Sequence, residues 1–239
     1  MAFSEFLESR RARAKALVAA LKEQFEYVSV LGVDTHSKHI MVNANSSGIL
    51  NGDDTECGFV VKVNNGGCFF EYSMDDIGAD IPAAAAQVKE SFTVSKLLRE
   101  GSIDRIVLKD EPLVQSFARP TDLASYSDKD VLSFVQKMQK ELQAKSEHIL
   151  NAMIRVSTLE VSKLFVSANR ELDQNYTWIN GFMGLAYREN DKTVQVFGFC
   201  DSANMADVMA ELPGKMDGLV DRAHHLTLAK PIEPGVYDV

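Results

Sequence analysis

Five histidines, three cysteines and several adjacent carboxylates bound the chemistry this sequence can perform. The histidines are His36, His39, His148, His224 and His225. A helix-borne zinc site needs two imidazoles about one turn apart, so that both face one metal, with a Glu beside them as base. Neither HExxH nor HExxxH occurs. His36 and His39 stand three apart in a stretch that reads as strand, which sends them to opposite faces unless they flank a turn. His224-His225 closes a predicted helix, where an imidazolium complements the carbonyl end. Cys57 and Cys68 fall in predicted strands and read as small core residues, and Cys200 completes an odd set without a CxxC pair. No GxSxG or SxxK motif marks a serine nucleophile, and no GxGxxG or GxxxxGK[ST] loop marks a phosphate cradle. Asp53-Asp54 and Asp75-Asp76 are accounted for by turn and helix-cap duties. Met205, Met209 and Met216 recur at helical spacing and read as core. On these grounds no catalytic residue and no metal ligand is assigned, and substrate-binding residues stay unassigned.

The totals narrow the class further. The 239 residues are 46% apolar and 25% charged, enough for a packed core with an ordinary surface. The net charge is −9, opposite in sign to the lysine and arginine excess that nucleic-acid binding requires. Arg10, Arg11, Arg13 and Lys15 share their helix with Glu5, Glu8 and Glu23 and read as a solvated helix face. The N-terminus lacks the pattern of a signal peptide, and no apolar run is long enough to cross a bilayer. Free cysteines fit a reducing compartment, so the expectation is a cytoplasmic protein with neither nucleic-acid nor membrane partners.

Two periodicities organise the chain. Phe3, Phe6, Leu7, Leu17, Val18, Leu21 and Phe25 fall on one helical stripe, with Ser4 as N-cap. From Tyr27 to Tyr72 the period is two, predicting an antiparallel meander. Its strands are centred on 27–33, 38–42, 58–63 and 68–72, with a first turn at Asp34-Thr35-His36 and a hairpin at Asn64-Asn65-Gly66-Gly67. Ser73-Met74-Asp75-Asp76 resembles a capping box for a helix that holds Pro82 in its first turn and ends at Gly101. Residues 101–127 show neither period. They read as a connector with a short strand at Ile106-Val107-Leu108. Ser127-Asp128-Lys129-Asp130 caps a second helix with the stripe Val131, Phe134, Val135, Met138 and Leu142. Strands follow at 151–156, 164–168 and 181–187, then a turn at Glu189-Asn190-Asp191 and a strand at 194–199. Ser202 is the predicted cap of a final helix that Pro213 should kink or split.

The halves share an order of elements. Ile40-Met41-Val42-Asn43-Ala44-Asn45 matches Leu164-Phe165-Val166-Ser167-Ala168-Asn169, and Gly58-Phe59-Val60 matches Gly181-Phe182-Met183 at nearly the same offset. The expected fold class is α+β, a duplicated helix–antiparallel meander–helix unit with repeats at about 1–100 and 128–226. The two halves are expected to bury their sheet faces in one shared core.

Certain segments carry a family resemblance: Met41-Val42-Asn43-Ala44-Asn45-Ser46-Ser47-Gly48, Gly58-Phe59-Val60-Val61-Lys62-Val63 with Asn65-Gly66-Gly67, Val166-Ser167-Ala168-Asn169-Arg170-Glu171-Leu172, and Ala229-Lys230-Pro231-Ile232-Glu233-Pro234-Gly235-Val236-Tyr237. In this order the chain resembles the N-terminal domain of TldD/PmbA-type (TldD/TldE) metallopeptidases over nearly its whole length. The resemblance implies a cytoplasmic dimer or heterodimer that degrades or matures unfolded peptides. It places an HExxxH zinc site in a C-terminal domain, toward which residues 227–239 read as a linker. No catalytic residue of the family falls on any position here, so the chain is expected to be inactive alone and to bind no zinc itself. The implied role is non-catalytic, in subunit assembly and peptide guidance. The alternative is a stand-alone interaction or oligomerisation module that binds no peptide.

Overall fold

The structure, a computed structural model, describes residues 2–65, 68–97 and 110–238. The chain divides into two compact units, each assembled from separated segments. Unit 1 takes residues 1–37, 52–120 and 159–177, and unit 2 takes 38–51, 121–158 and 178–239. The elements are helices α1 (Glu5–Lys22), α2 (Ile81–Leu97), α3 (Asp128–Gln143), α4 (Met205–Glu211) and α5 (Met216–Leu228). The strands are β1 (Tyr27–Val42), β2 (Ser47–Asn51), β3 (Cys57–Asn65), β4 (Cys68–Met74), β5 (Leu113–Ala118), β6 (Ile149–Ser167), β7 (Arg170–Glu189) and β8 (Lys192–Ser202). The class is α+β. The strands pair in the order β4-β3-β1-β6-β7-β5, with β2 on β1 and β8 on β7. The β1–β2, β1–β3, β3–β4 and β7–β8 pairs are antiparallel, whereas β5 runs parallel to β7.

In unit 1, α1 and α2 cover the sheet through the predicted stripe. Leu7, Leu17, Val18, Leu21 and Phe25 pack with Val28, Val30, Phe59, Val61 and Val63 of the strands and with Val88 and Phe92 of α2. Ser4 caps α1 by accepting from the Leu7 N–H at 3.1 Å. Gly32 sits opposite Phe59, where an added Cβ would come within 2.6 Å of the ring, so the close approach of strand and ring requires glycine.

In unit 2, α3 is closed by a full capping box, with Ser127 and Asp130 bonded reciprocally. Its stripe Val131, Val135, Met138 and Leu142 packs with Ile154, Val156, Met183 and Leu185. Met205 and Met216 are core, and Met209 packs against it, as expected. Pro213 splits the last helix through a 3-10 turn at Leu212–Lys215. The Glu189–Lys192 hairpin turns through Asn190 and Asp191, both at positive φ (49° and 58°), a conformation these two residue types tolerate.

The structure corrects several expectations. Asp34-Thr35-His36 is not a turn, because β1 runs through it unbroken. The 52–56 connection supplies its partners: Thr35 N–H donates to the Glu56 carbonyl at 2.7 Å, Thr35 Oγ1 donates to the Asp54 carbonyl at 2.7 Å, and Gly52 N–H donates to the Ser37 carbonyl at 2.9 Å. The strands expected at 151–156 and 164–168 are likewise one long strand, β6. Ser73 and Met74 belong to β4, and α2 is capped instead by Asp80, whose Oδ1 accepts from the Ala83 N–H at 3.0 Å. Ser202 does not cap α4. The Met205 and Ala206 N–H groups donate to Asp122 at 2.5 and 3.0 Å. The single shared core is replaced by two clusters, each taking residues from the other half of the sequence: Ile40 and Val42 join the cluster of unit 2, Leu164 and Val166 that of unit 1. The strand at 106–108, the helix end at Gly101 and the turn residues Gly66-Gly67 lie outside the described residues. The hairpin itself is present, with Asn65 opposite Cys68.

Candidate functional site

The richest polar constellation of unit 1 grows from the segment Val166–Leu172. The β6 strand ends at Ser167 and β7 starts at Arg170, leaving Ala168-Asn169 as a two-residue turn. Each polar side chain around the turn is engaged. Ser167 Oγ accepts from the Arg170 N–H at 3.0 Å and donates to Asp110. Asn169 Nδ2 donates to the Asp110 carbonyl at 3.0 Å, and Arg170 Nε donates to the Glu111 carbonyl at 2.9 Å. These bonds anchor the residues that lead into β5.

Next to the turn, α1 presents its basic residues. Arg11 reaches Glu8, Glu171 and Asp173 at 2.7, 3.0 and 3.1 Å, and Lys15 reaches Glu171 at 2.5 Å. Burial works to lower the Arg11 pKa, but its hydrogen bonds to Glu8, Glu171 and Asp173 outweigh burial and leave it raised. The Lys15 hydrogen bond holds the Glu171 carboxyl below its ordinary value, with Arg11 adding to it against some desolvation. Arg10 forks onto Asp76 at 3.0 and 3.1 Å, and Arg13 donates to the Ile77 carbonyl. The expected solvated face of α1 is therefore largely spent on partners inside unit 1. Between α1, the β6–β7 turn and β5 lies an open groove of about 420 Å³, lined among others by Lys15, Val18, Lys22, Val114, Arg170 and Glu171. All six residues of β5 are exposed, with Val114 at 79%.

Two other clusters hold titratable groups. Ser4 Oγ donates to Asp34 Oδ2 at 2.5 Å, while His36 Nε2 meets Asp34 Oδ1 at 3.1 Å. The carboxylate stands between serine and histidine, whereas nucleophile activation needs the imidazole in the middle. This arrangement caps α1 and generates no nucleophile. In unit 2, Glu189 accepts from Tyr187 at 3.0 Å, meets His224 Nδ1 at 2.6 Å and lies 3.7 Å from His148 Nε2. The His224 hydrogen bond holds the Glu189 carboxyl low.

The remaining singled-out residues are dispersed. His39 bonds Ser157 Oγ at 2.8 Å, and His225 lies on Asp221 of its own helix at 3.3 Å. Cys200 is buried, and burial pushes its thiol pKa up. Cys57 is exposed at the start of β3 rather than in the core, and partial desolvation with the nearby Asp34 charge pushes its thiol up as well. Neither is an activated thiolate. The Cys68 side chain lies outside the described residues. Asp54 serves the turn through its carbonyl, and Asp76 pairs with Arg10 instead of capping a helix. Among the described residues, no three His, Cys, Asp or Glu side chains are grouped to hold a metal. Sequence reasoning missed β5 and the Glu189 cluster. The run Leu113–Ala118 between Pro112 and Pro120 was a usable strand signal; the meeting of residues 148, 189 and 224 left none.

No family model matches the sequence, and no curated protein does. Solved structures do match. A candidate modulator of DNA gyrase from Bacteroides thetaiotaomicron superposes with a TM-score of 0.73 at 13% identity, over 91% of this chain and 50% of its own. The fold is shared with the TldD/PmbA proteins. A second candidate gyrase modulator, from Thermotoga maritima, matches at TM-score 0.67 and 14% identity, over 96% of this chain and 50% of its own. TldE from Thermococcus kodakarensis matches at 0.61 and 13%, over 89% and 46%. This chain spans about half the length of the TldD/PmbA structures it matches. The Val166–Leu172 segment that carried the resemblance forms the β6–β7 turn anchoring β5.

Proposed function

We propose that this chain is the non-catalytic domain of a TldD/PmbA-like zinc metallopeptidase, serving subunit assembly and the guidance of unfolded peptides. The fold likeness to about half of a TldD/PmbA-type chain carries this reading, and an exposed strand edge in unit 1 supports it. Zinc and the hydrolytic step belong to residues outside this chain. A cytoplasmic homo- or heterodimer with a TldE-like subunit is the proposed setting. The structure describes no helix long and apolar enough to cross a membrane. The element orders α1-β1-β2-β3-β4-α2 and α3-β6-β7-β8-α4-α5, alike except for the short β2 and the split last helix, are in keeping with descent from one duplicated unit of about 1–100 and 128–226. An extended peptide needs only a free row of backbone donors and acceptors to bind, largely without regard to sequence. Titrating the full chain with unstructured peptides should give saturable binding. None at all, alone or with a catalytic partner domain added, would rule the peptide role out.

One observation favours the alternative, an interaction module without peptide binding. In unit 2 the sheet face turned away from the helices carries Phe182, Phe197 and Phe199 in aromatic contact, with Arg155 5.0 Å over the Phe182 ring. Phe197 and Phe199 remain about half exposed, a composition suited to a protein contact. Light scattering at high concentration decides: a clean monomer that still binds peptide removes this reading.

A further inference from the structure

We infer that the free edge of β5, together with the groove beside it, is the peptide site of this chain, and that it takes an extended segment carrying carboxylates at alternate positions. This rests on the peptide-guiding reading above and gives it a location and a ligand chemistry.

Edge strands are normally blunted by charge, proline, a bulge or a cover, because their unpaired backbone groups template further pairing. In unit 1, β5 has none of the sequence devices: Leu113–Ala118 reads LVQSFA, without a charge or a proline. It pairs with β7 in parallel, and among the described residues no strand pairs on its other side. The ladder assigns the free groups. Leu113 N–H donates to Asn169 and Arg119 N–H to Asn175, so odd-numbered residues face β7. The N–H and C=O of Val114, Ser116 and Ala118 therefore point to the open side.

The side chains of those even-numbered residues share the face of α1. Ser116 Oγ donates to Asp173, which Arg11 of α1 holds, and Val114 lines the groove with Lys15 and Lys22. A strand added at this edge would place every second side chain on that same face, beside the groove. The groove offers the cations Lys15, Lys22 and Arg170 against one carboxylate, Glu171, which is already shared by Lys15 and Arg11. The neighbouring carboxylates are already engaged, Asp110 by Ser167 and Asn169 and Asp173 by Arg11 and Ser116, whereas an ammonium keeps donors to spare when one is engaged. Acidic side chains spaced two apart fit this groove.

The test is fluorescence anisotropy on the full chain with a labelled, unstructured decapeptide alternating Glu and Thr. The expected result is saturable binding, about tenfold weaker when alternate amides on one pairing side are N-methylated and nearly unchanged when the other side is. Of the backbone N–H groups Ser116→Pro removes one that points outward and none that faces β7, so it should weaken binding likewise, while Ser116→Ala should not. Lys15→Gln with Lys22→Gln should weaken the Glu peptide and leave a Gln peptide unchanged. Should Ser116→Pro fail to fold by circular dichroism, the N-methyl series decides. If the peptide binds but neither N-methylation nor Ser116→Pro matters, the β5 site is wrong and the peptide reading survives. Equal affinity for a Lys–Thr peptide removes the acidic preference. No peptide binding at all overturns both.

Discussion

Glu171 of unit 1 is held by Lys15 and Arg11, whereas Glu189 of unit 2 is held by His224, His148 and Tyr187. Both units pack helices against strands. They part where each adds something. Unit 1 adds β5 in parallel, with no strand on its other side among the described residues; unit 2 splits its last helix at Pro213 and leaves Phe197 and Phe199 about half exposed.

The largest test of this comparison is in the cores. Phe59→Ala in unit 1 and Leu142→Ala in unit 2 each delete a fully buried side chain and should cost about 3–4 kcal/mol. Amide exchange should then show protection falling first in the unit that was mutated. Equal loss throughout would break the division into two cores. Leu164→Ala sharpens the same point, because it lies in the second half of the sequence yet should weaken the unit containing α1.

Caps come next in size. Asp80 caps α2 from the position just before it, while Asp122 caps α4 from far away in sequence and serves two N–H groups. Asp80→Ala should cost about 1 kcal/mol and Asp122→Ala about 2 kcal/mol in urea unfolding. The reverse order would mean that the remote cap is replaced by water without loss.

The smallest effect is acid titration. The Glu171 carboxyl is held low chiefly by the Lys15 hydrogen bond, and the Glu189 carboxyl chiefly by that of His224. A carboxyl depressed by folding stabilises the native state above its unfolded pKa, and this is lost as pH falls through the folded value. The loss therefore sets in below about pH 4. Glu171→Gln and Glu189→Gln should each flatten the fall of stability in that range. A slope unchanged by Glu189→Gln would show that the histidine cluster adds nothing to the fold.

Local patterns were legible where the physics is local. The stripes of α1 and α3, the Ser4 and Ser127 caps, the Glu189-Asn190-Asp191 turn and the break at Pro213 depend on neighbours within about one helical turn. The polar stretch 34–37 read as a turn because nothing nearby in sequence satisfies it; its backbone partners sit in the 52–56 connection. The cap of α4 was misplaced for the same reason, since Ser202 is near and Asp122 is not. Of the candidate site, the segment Val166–Leu172 stood out in the sequence, but its grip on Asp110 and Glu111 did not.

The sequence by itself determined the α+β class, the helix stripes, the hairpin turns and the acidic balance, because periodicity, backbone tolerance and charge are properties of residues and their near neighbours. Only the tertiary structure decided that β1 and β6 each contribute to both clusters, that β5 joins β7 in parallel, and that Lys15, Lys22 and Val114 border one groove. These depend on which distant backbones exchange hydrogen bonds, and that choice is made by burying all the apolar faces at once.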